Sequence, residues 1–290
     1  MNYTEEFVKA GKFAPEEIFI KDNILLENIM GSHAYGCNHP DSDFDIVVVF
    51  MDRHQDLYPQ SYGKILGYDE LHPIHHKELK GVGNRIVLPN GKECEGEWRS
   101  LSNFVALAGL NGSPLMIESL FVRRNFVSNA HNIGWMLRDN RRLFLSARTF
   151  YAFKGYSVGQ LDRIRIGYKK KKSDNADRQV FIDMYGYDIK MAYHLLRLLD
   201  EIEQILTTND IDLQRNRDEC MSMREGKWGD FNRLESFFKD KMDALEKILH
   251  TGVVPIEPQA SKLHELLQKC IEQYYGSMDK FKGTEYVSAR

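Results

Sequence analysis

Apolar positions follow two different rhythms along this chain of 290 residues. In the first half they come as short runs: Ile24, Leu25, Leu26, Ile29 and Met30, then Ile46-Val47-Val48-Val49-Phe50, then residues 86–88 and 94–98. Runs of this length, bounded by Gly, Pro and polar clusters, predict strands over 24–30, 44–50, 86–88 and 94–98. Residues 101–110 and 115–121 read as helices. From residue 143 onward the strand signals nearly vanish, and helical periodicity takes over in 188–206, 228–250 and 261–275. The pattern predicts an α+β protein: a small α/β domain over residues 1–142, followed by a helical domain over residues 143–290.

Chemistry enters between the first two strands. Gly31-Ser32 lets the chain turn tightly out of the first apolar run, and a brief helix fed by such a turn presents free N–H groups to phosphate oxygens. Ten residues intervene, and then Asp43-Phe44-Asp45 leads into the second run. Side chains alternate across a strand, so Asp43 and Asp45 share a face while Phe44 and Ile46 share the other. Two carboxylates so placed suit Mg²⁺, which takes few protein oxygens and completes its shell with phosphate and water. Nucleotide transfer commonly uses two such ions about 3.5–4 Å apart, one at the attacking hydroxyl and one at the leaving pyrophosphate. That chemistry calls for a third carboxylate.

Either half of this motif alone is commonplace, because Gly-Ser pairs occur in many turns and Asp-x-Asp can open a solvated strand. Together they resemble the signature of the DNA polymerase β nucleotidyltransferase superfamily, which Met30-Gly31-Ser32 and Asp43-Phe44-Asp45-Ile46 match position by position. A narrower resemblance covers most of the chain. Gly31-Ser32-His33-Ala34-Tyr35-Gly36, Ser113-Pro114 with Ile117-Glu118-Ser119-Leu120, the stretch from Tyr187-Asp188-Ile189-Lys190 through His194 and Arg197 to Leu199, and Arg224-Glu225-Gly226-Lys227-Trp228 are similar to a group of bacterial and phage nucleotidyltransferases. Some members of that group lie beside RNA ligases in RNA-repair gene clusters. The resemblance implies a polymerase-β-like catalytic domain, two Mg²⁺ ions (or Mn²⁺), an NTP substrate and an acceptor hydroxyl.

At the third carboxylate the chain departs from the group, where an acidic residue, usually Asp, precedes the helix leading to the Ser-Pro step. Here the register falls on Glu95, with Glu97 as the alternative. Glu93, Glu95 and Glu97 alternate and so share a strand face.

Composition excludes other classes. With 42% hydrophobic and 28% charged residues and a net charge of −3, the chain reads as an ordinary globular protein. The first residues are polar and acidic, and the longest aliphatic-aromatic run is 46–51, so secretory and membrane readings fail and a cytoplasmic location is expected. Cys37, Cys94, Cys220 and Cys270 lack paired spacing and read as reduced thiols. His72, His75 and His76 lie upstream of Cys94, but no second close pair completes a tetrahedral zinc shell.

Charge is distributed unevenly. Residues 138–172 carry eleven Lys or Arg against two acids, with aromatic residues interleaved. Basic side chains neutralise phosphates and aromatic rings stack on unpaired bases, so the segment is a candidate RNA contact, with the lysines 169–172 as its densest part and Lys154 as a ligand for incoming phosphates. The bland alternative is an amphipathic helix with aromatic residues inside and arginines in water. In the helix starting near Asp188, helical geometry gathers Lys190, His194 and Arg197 into one stripe opposite Ala192, Leu195, Leu199, Ile202 and Leu206. By base rate that stripe faces solvent, with Arg197 paired to Glu201. The resemblance shifts Lys190, His194 and Arg197 to ligands of triphosphate or nucleic-acid phosphate, and leaves Tyr187 to stack on a base or to pack.

These readings converge on an Mg²⁺-dependent nucleotidyltransferase. Gly31 and Ser32 hold the triphosphate, Asp43, Asp45 and Glu95 hold metal, and the acceptor is an RNA 3′ end, of damaged tRNA in the first instance. Two competitors stand beside it: adenylylation of a protein or small molecule, as in antitoxin-type and drug-modifying relatives, and a weakly catalytic nucleotide- or RNA-binding module.

Overall fold

A computed structural model of the protein describes residues 1–58, 76, 77, 85–172 and 176–276. Among these, six strands form one mixed sheet: β1 (Ile24–Met30), β2 (Phe44–Phe50), β3 (His76–Lys77), β4 (Arg85–Val87), β5 (Glu93–Ser100) and β6 (Val127–Ala130). The spatial order is β3-β5-β2-β1-β6, with β4 also paired to β5. β2 runs antiparallel to β1 and parallel to β5.

Strand alternation gives the sheet two different faces. Ile46, Val48 and Phe50 of β2 join Cys94 and Trp98 of β5 in a small core with Phe7, Phe13 and Ile20. Helix α1 (Tyr3–Lys9) contributes to that core, and the buried Glu27 of β1 anchors it. Glu27 accepts from the backbone N–H groups of Tyr3 (3.0 Å) and Thr4 (2.8 Å) and from the hydroxyls of Thr4 and Ser128 (both 2.7 Å). A carboxylate satisfies there the free donors that every helix N-terminus leaves. Residue 96 is glycine because a Cβ there would come within 2.2 Å of the Trp98 ring.

Val47 and Val49 belong to the opposite face, which packs against most of the helices. After α1 the helices are α2 (Gly31–Ala34), α3 (His54–Leu57), which stays outside the core on this face, α4 (Leu101–Val105) with a π-helical turn at Ala106–Leu110, α5 (Pro114–Phe121), α6 (Asn132–Asp139), α7 (Ala147–Lys170), α8 (Ala176–Tyr185), α9 (Ile189–Thr208), α10 (Arg217–Arg224), α11 (Phe231–Leu249) and α12 (Ala260–Tyr275). α9 is the hub of the helical region and touches α7, α8, α10 and α11. Asp188 caps it, its carboxylate accepting from the Met191 N–H at 2.9 Å. One apolar core joins Val47 and Val49 to Leu195, Leu199 and Ile202 of α9 and continues to Leu263 and Cys270 of α12.

The mixed α/β region followed by helices agrees with the expected fold class. β1 and β2 occupy the residues that the apolar runs mark, and β4 and β5 shift by one or two positions. β6 has no apolar run to announce it; Val127-Ser-Asn-Ala pairs with β1 through its backbone. The helix expected over 101–110 ends at Val105 and gives way to the π-helical turn. All four cysteines are buried free thiols. His72 and His75 of the weighed zinc site lie outside the described residues. Among the described residues no single helix is long and apolar enough to cross a membrane.

Candidate active site

The site is built where β1 turns back toward β2. Met30, the last residue of β1, pairs with Asp45, and Gly31 follows with φ +61°. A Cβ on Gly31 would lie 1.9 Å from Asp45 Oδ2. Glycine is therefore required twice here, for the left-handed backbone and for the approach of the carboxylate. Gly31→Ala is expected to displace the Asp45 side chain and to cost about 1–2 kcal/mol from the backbone alone. Chemical denaturation of the two proteins checks this, and an unchanged midpoint would sink it.

Side chains from the helical region hold the carbonyls of this turn. Gln214 Nε2 donates to Ala34 O at 2.9 Å, Arg217 Nε donates to Gly36 O at 2.8 Å, and Arg224 Nη1 donates to Cys37 O. The Arg224 to Trp228 motif thus begins with a residue that clamps the turn.

The parallel register places Glu95 of β5 directly beside Asp45 of β2, so the two carboxylates share a face. Burial, then repulsion from Glu95 and Asp43, pushes the pKa of Asp45 up to about 6, against the opposing pull of Lys190 and Arg85. Arg85 of β4 bridges Glu95 and Glu93 at 3.2 Å each. Glu97, the alternative third carboxylate, also lines the cleft but lies beside Val47 and is held by Arg99 at 2.5 Å. Asp43, Asp45 and Glu95 form an all-oxygen donor set whose mutual repulsion a hard divalent cation would relieve, so these residues fit Mg²⁺ or Mn²⁺. Among the described residues no three such groups already converge on a single point; Asp45 and Glu95 line a cleft, and Asp43, outside that lining, is close enough to act on Asp45.

That cleft has a volume of about 600 Å³. Gly31, Asp45 and Glu95 line it together with Tyr156, Gln160 and Arg163 of α7, Arg178 of α8, and Met191, His194 and Arg197 of α9. Gln160 and Arg163 are not singled out in the basic segment and Tyr156 stands there only among the interleaved aromatic residues, although their spacing of four and three residues marks one helix face. The alternative to an RNA contact is an amphipathic helix with its aromatic residues inside. That reading holds for the buried Phe144, Phe150 and Phe153, but not for Tyr156, which is 49% exposed.

Several expectations for phosphate ligands are corrected. Lys154 does not line the cleft; its ammonium is 2.5 Å from Glu246 of α11. Arg197 is not part of an exposed stripe. It is buried, with Nη1 2.8 Å from Glu118 Oε1 and 2.7 Å from Glu201 Oε1, and its guanidinium lies 3.8 Å over the Tyr35 ring. The Tyr35 hydroxyl donates to Glu118 at 2.5 Å, so the network ties the end of α2 to α5 and α9. Burial drives the pKa of Glu201 above the usual carboxylate value, against the opposing pull of Arg197. Tyr187 packs, buried, with its hydroxyl donating to Gly229 O at 3.1 Å. Lys190 is exposed and close enough to act on Asp45. Lys169–Lys172 end α7 in exposed positions, with Lys171 placed over the Tyr168 ring at 4.2 Å.

His194 cannot serve as a cation at neutral pH. Burial lowers its pKa well below the ordinary histidine value, and Arg197, Arg178, Lys190 and Arg224 lower it further. In the unfolded chain the same histidine takes a proton near pH 6.5. Its contribution to stability is therefore present above that pH and is lost as pH falls below it. Unfolding midpoints recorded from pH 7.5 to 5 are expected to decline, and His194→Asn to flatten the decline; equal slopes would refute the assignment.

Two comparisons with known proteins bear on the site. The RlaP family model, described as the RNA repair pathway DNA polymerase beta family, matches residues 6–227. No curated protein matches the chain.

Proposed function

Because the chain belongs to the RNA repair pathway DNA polymerase beta family over residues 6–227, we propose that it transfers a nucleoside monophosphate from an NTP to a hydroxyl at an RNA 3′ end, of damaged tRNA in the first instance, and releases pyrophosphate. One observation supports this most: the register sets Glu95 beside Asp45, on the floor of a cleft large enough for a nucleotide and against the Gly31 turn.

Asp43 and Asp45 would hold both divalent ions, and Glu95 the one nearer the acceptor. Bound there, such ions activate the acceptor hydroxyl and steady the departing pyrophosphate. The Gly31-Ser32 turn offers backbone N–H groups to the triphosphate, and Lys190 adds a point charge beside Asp45. Gln214, Arg217 and Arg224 keep that turn in place from behind. The Arg197 network, at the cleft lining, ties α2 to α9 through its ion pairs with Glu118 and Glu201, and preorganisation of this kind saves reorganisation during reaction.

The test is direct. The protein is incubated with Mg²⁺, each α-labelled NTP in turn, and two RNA preparations, one with free 3′ hydroxyls and one blocked by periodate oxidation. Label on the free RNA alone supports the proposal and identifies the NTP. Label on protein, on a small molecule or on nothing overturns it.

A further inference from the structure

α7 forms one wall of the cleft and then continues beyond it. At 1.5 Å per residue its exposed face runs about 33 Å from Arg148 to Lys170. Tyr156, Gln160 and Arg163 lie along the edge of that face which lines the cleft. Arg163 is exposed and forms no ion pair or hydrogen bond among the described residues, whereas Arg165 two positions on is held by Asp162 and Glu235. The other charged residues exposed on α7 are mostly basic, Arg148, Lys169 and Lys170 against a single acid, Asp162, already paired with Arg165, and the apolar Tyr151, Val158 and Ile166 stand among them.

The same face holds two glycines in mid-helix. Nothing lies within 4 Å of a Cβ placed on Gly155 or Gly159, so the fold has room for alanine, the better helix former, at both. Bare backbone beside a basic edge allows a polyanion to lie close against the helix. Tyr156 offers a half-exposed ring at the cleft mouth.

We propose that this face of α7 is the track of the acceptor: a single-stranded RNA 3′ end, its terminal base stacked on Tyr156, a phosphate on Arg163, and the preceding nucleotides along Gly155 and Gly159 toward the basic positions outside the cleft. A free NTP is too short to use such a track, and in the proposed reaction the Gly31 turn and the carboxylates serve it. The positive charge favours a polyanion over a second protein. This inference rests on the nucleotidyltransferase reading for the word acceptor but not for the binding itself.

The experiment measures binding without reaction. A fluorescein-labelled 12-nucleotide single-stranded RNA is titrated in EDTA against the full chain, and NTP affinity is measured separately by calorimetry with Ca²⁺. Tyr156→Ala and Arg163→Ala are each expected to weaken RNA binding about tenfold, and Arg163→Ala to flatten the salt dependence by about 0.7 in logarithmic slope. Gly155→Gln, adding bulk on the track, should weaken RNA likewise. Tyr156→Phe, which keeps the ring, and Lys154→Ala, which removes a charge off the track, should leave RNA affinity within twofold, as all variants should leave NTP affinity. RNA binding that ignores Tyr156 and Arg163, or a loss confined to NTP, overturns the track. Should transfer never be observed while RNA binding still depends on these residues, the proposed reaction fails and the track stands.

Discussion

Asp45→Asn is expected to lower nucleotidyl transfer at least about a thousandfold while leaving the protein folded. Asparagine has nearly the same volume but supplies a neutral oxygen in place of a carboxylate. Metal ions contribute several kcal/mol to such displacements, and each 1.36 kcal/mol is a factor of ten in rate. The folded state should not suffer. Asp45 lies where burial and repulsion from Glu95 and Asp43 already raise its pKa to about 6, so removing its charge removes an unfavourable term. Single-turnover assays with labelled NTP and RNA, beside thermal unfolding, check both halves. Transfer within tenfold of the wild type would remove the metal argument. The same assay separates the two glutamates. Glu95→Gln should approach the Asp45 variant, while Glu97→Gln, beside Val47 and held by Arg99, should retain most activity.

The second large effect concerns stability. Arg197→Met is expected to destabilise the protein by about 3–5 kcal/mol, because it leaves the Glu118 carboxylate buried without its cation. For a chain of this size that corresponds to a fall of roughly 10 °C in the unfolding midpoint. The double variant Arg197→Met with Glu118→Gln should recover part of the loss, since the orphaned charge goes with its partner. A phosphate ligand would behave differently, losing NTP affinity with little change in melting. Calorimetric titration with NTP alongside the melting curves therefore distinguishes the two roles for Arg197.

The outcome for Arg197 shows where sequence reading loses force. Helical periodicity rightly puts Lys190, His194 and Arg197 on one side of α9 and Leu195, Leu199 and Ile202 on the other. It carries no information about what covers the polar side. Three different answers emerge within eight residues: Lys190 meets solvent, His194 lines a cleft in a neutral state, and Arg197 is held by Glu118 and Glu201. Glu201 continues the stripe one turn on, and its pairing with Arg197 was legible from that spacing, whereas Glu118 comes from a different helix. Lys154 fails for the same reason, since its neighbour Glu246 stands 92 residues away in sequence.

What the sequence determined by itself was local and periodic. The apolar runs marked β1 and β2, the alternation of Asp43 and Asp45 gave a shared face, and Gly31 announced a turn that only glycine makes comfortably. Local backbone geometry governs each of these, and it is written in neighbouring residues. Tertiary structure alone decided the partners. The parallel register of β5 chose Glu95 over Glu97 as the neighbour of Asp45, and β4 set Arg85 against that glutamate. Packing turned Tyr156, Gln160 and Arg163 toward the carboxylates and buried Arg197 away from solvent. Register and packing depend on contacts between segments far apart in the chain, and these decide which charges meet water and which meet one another.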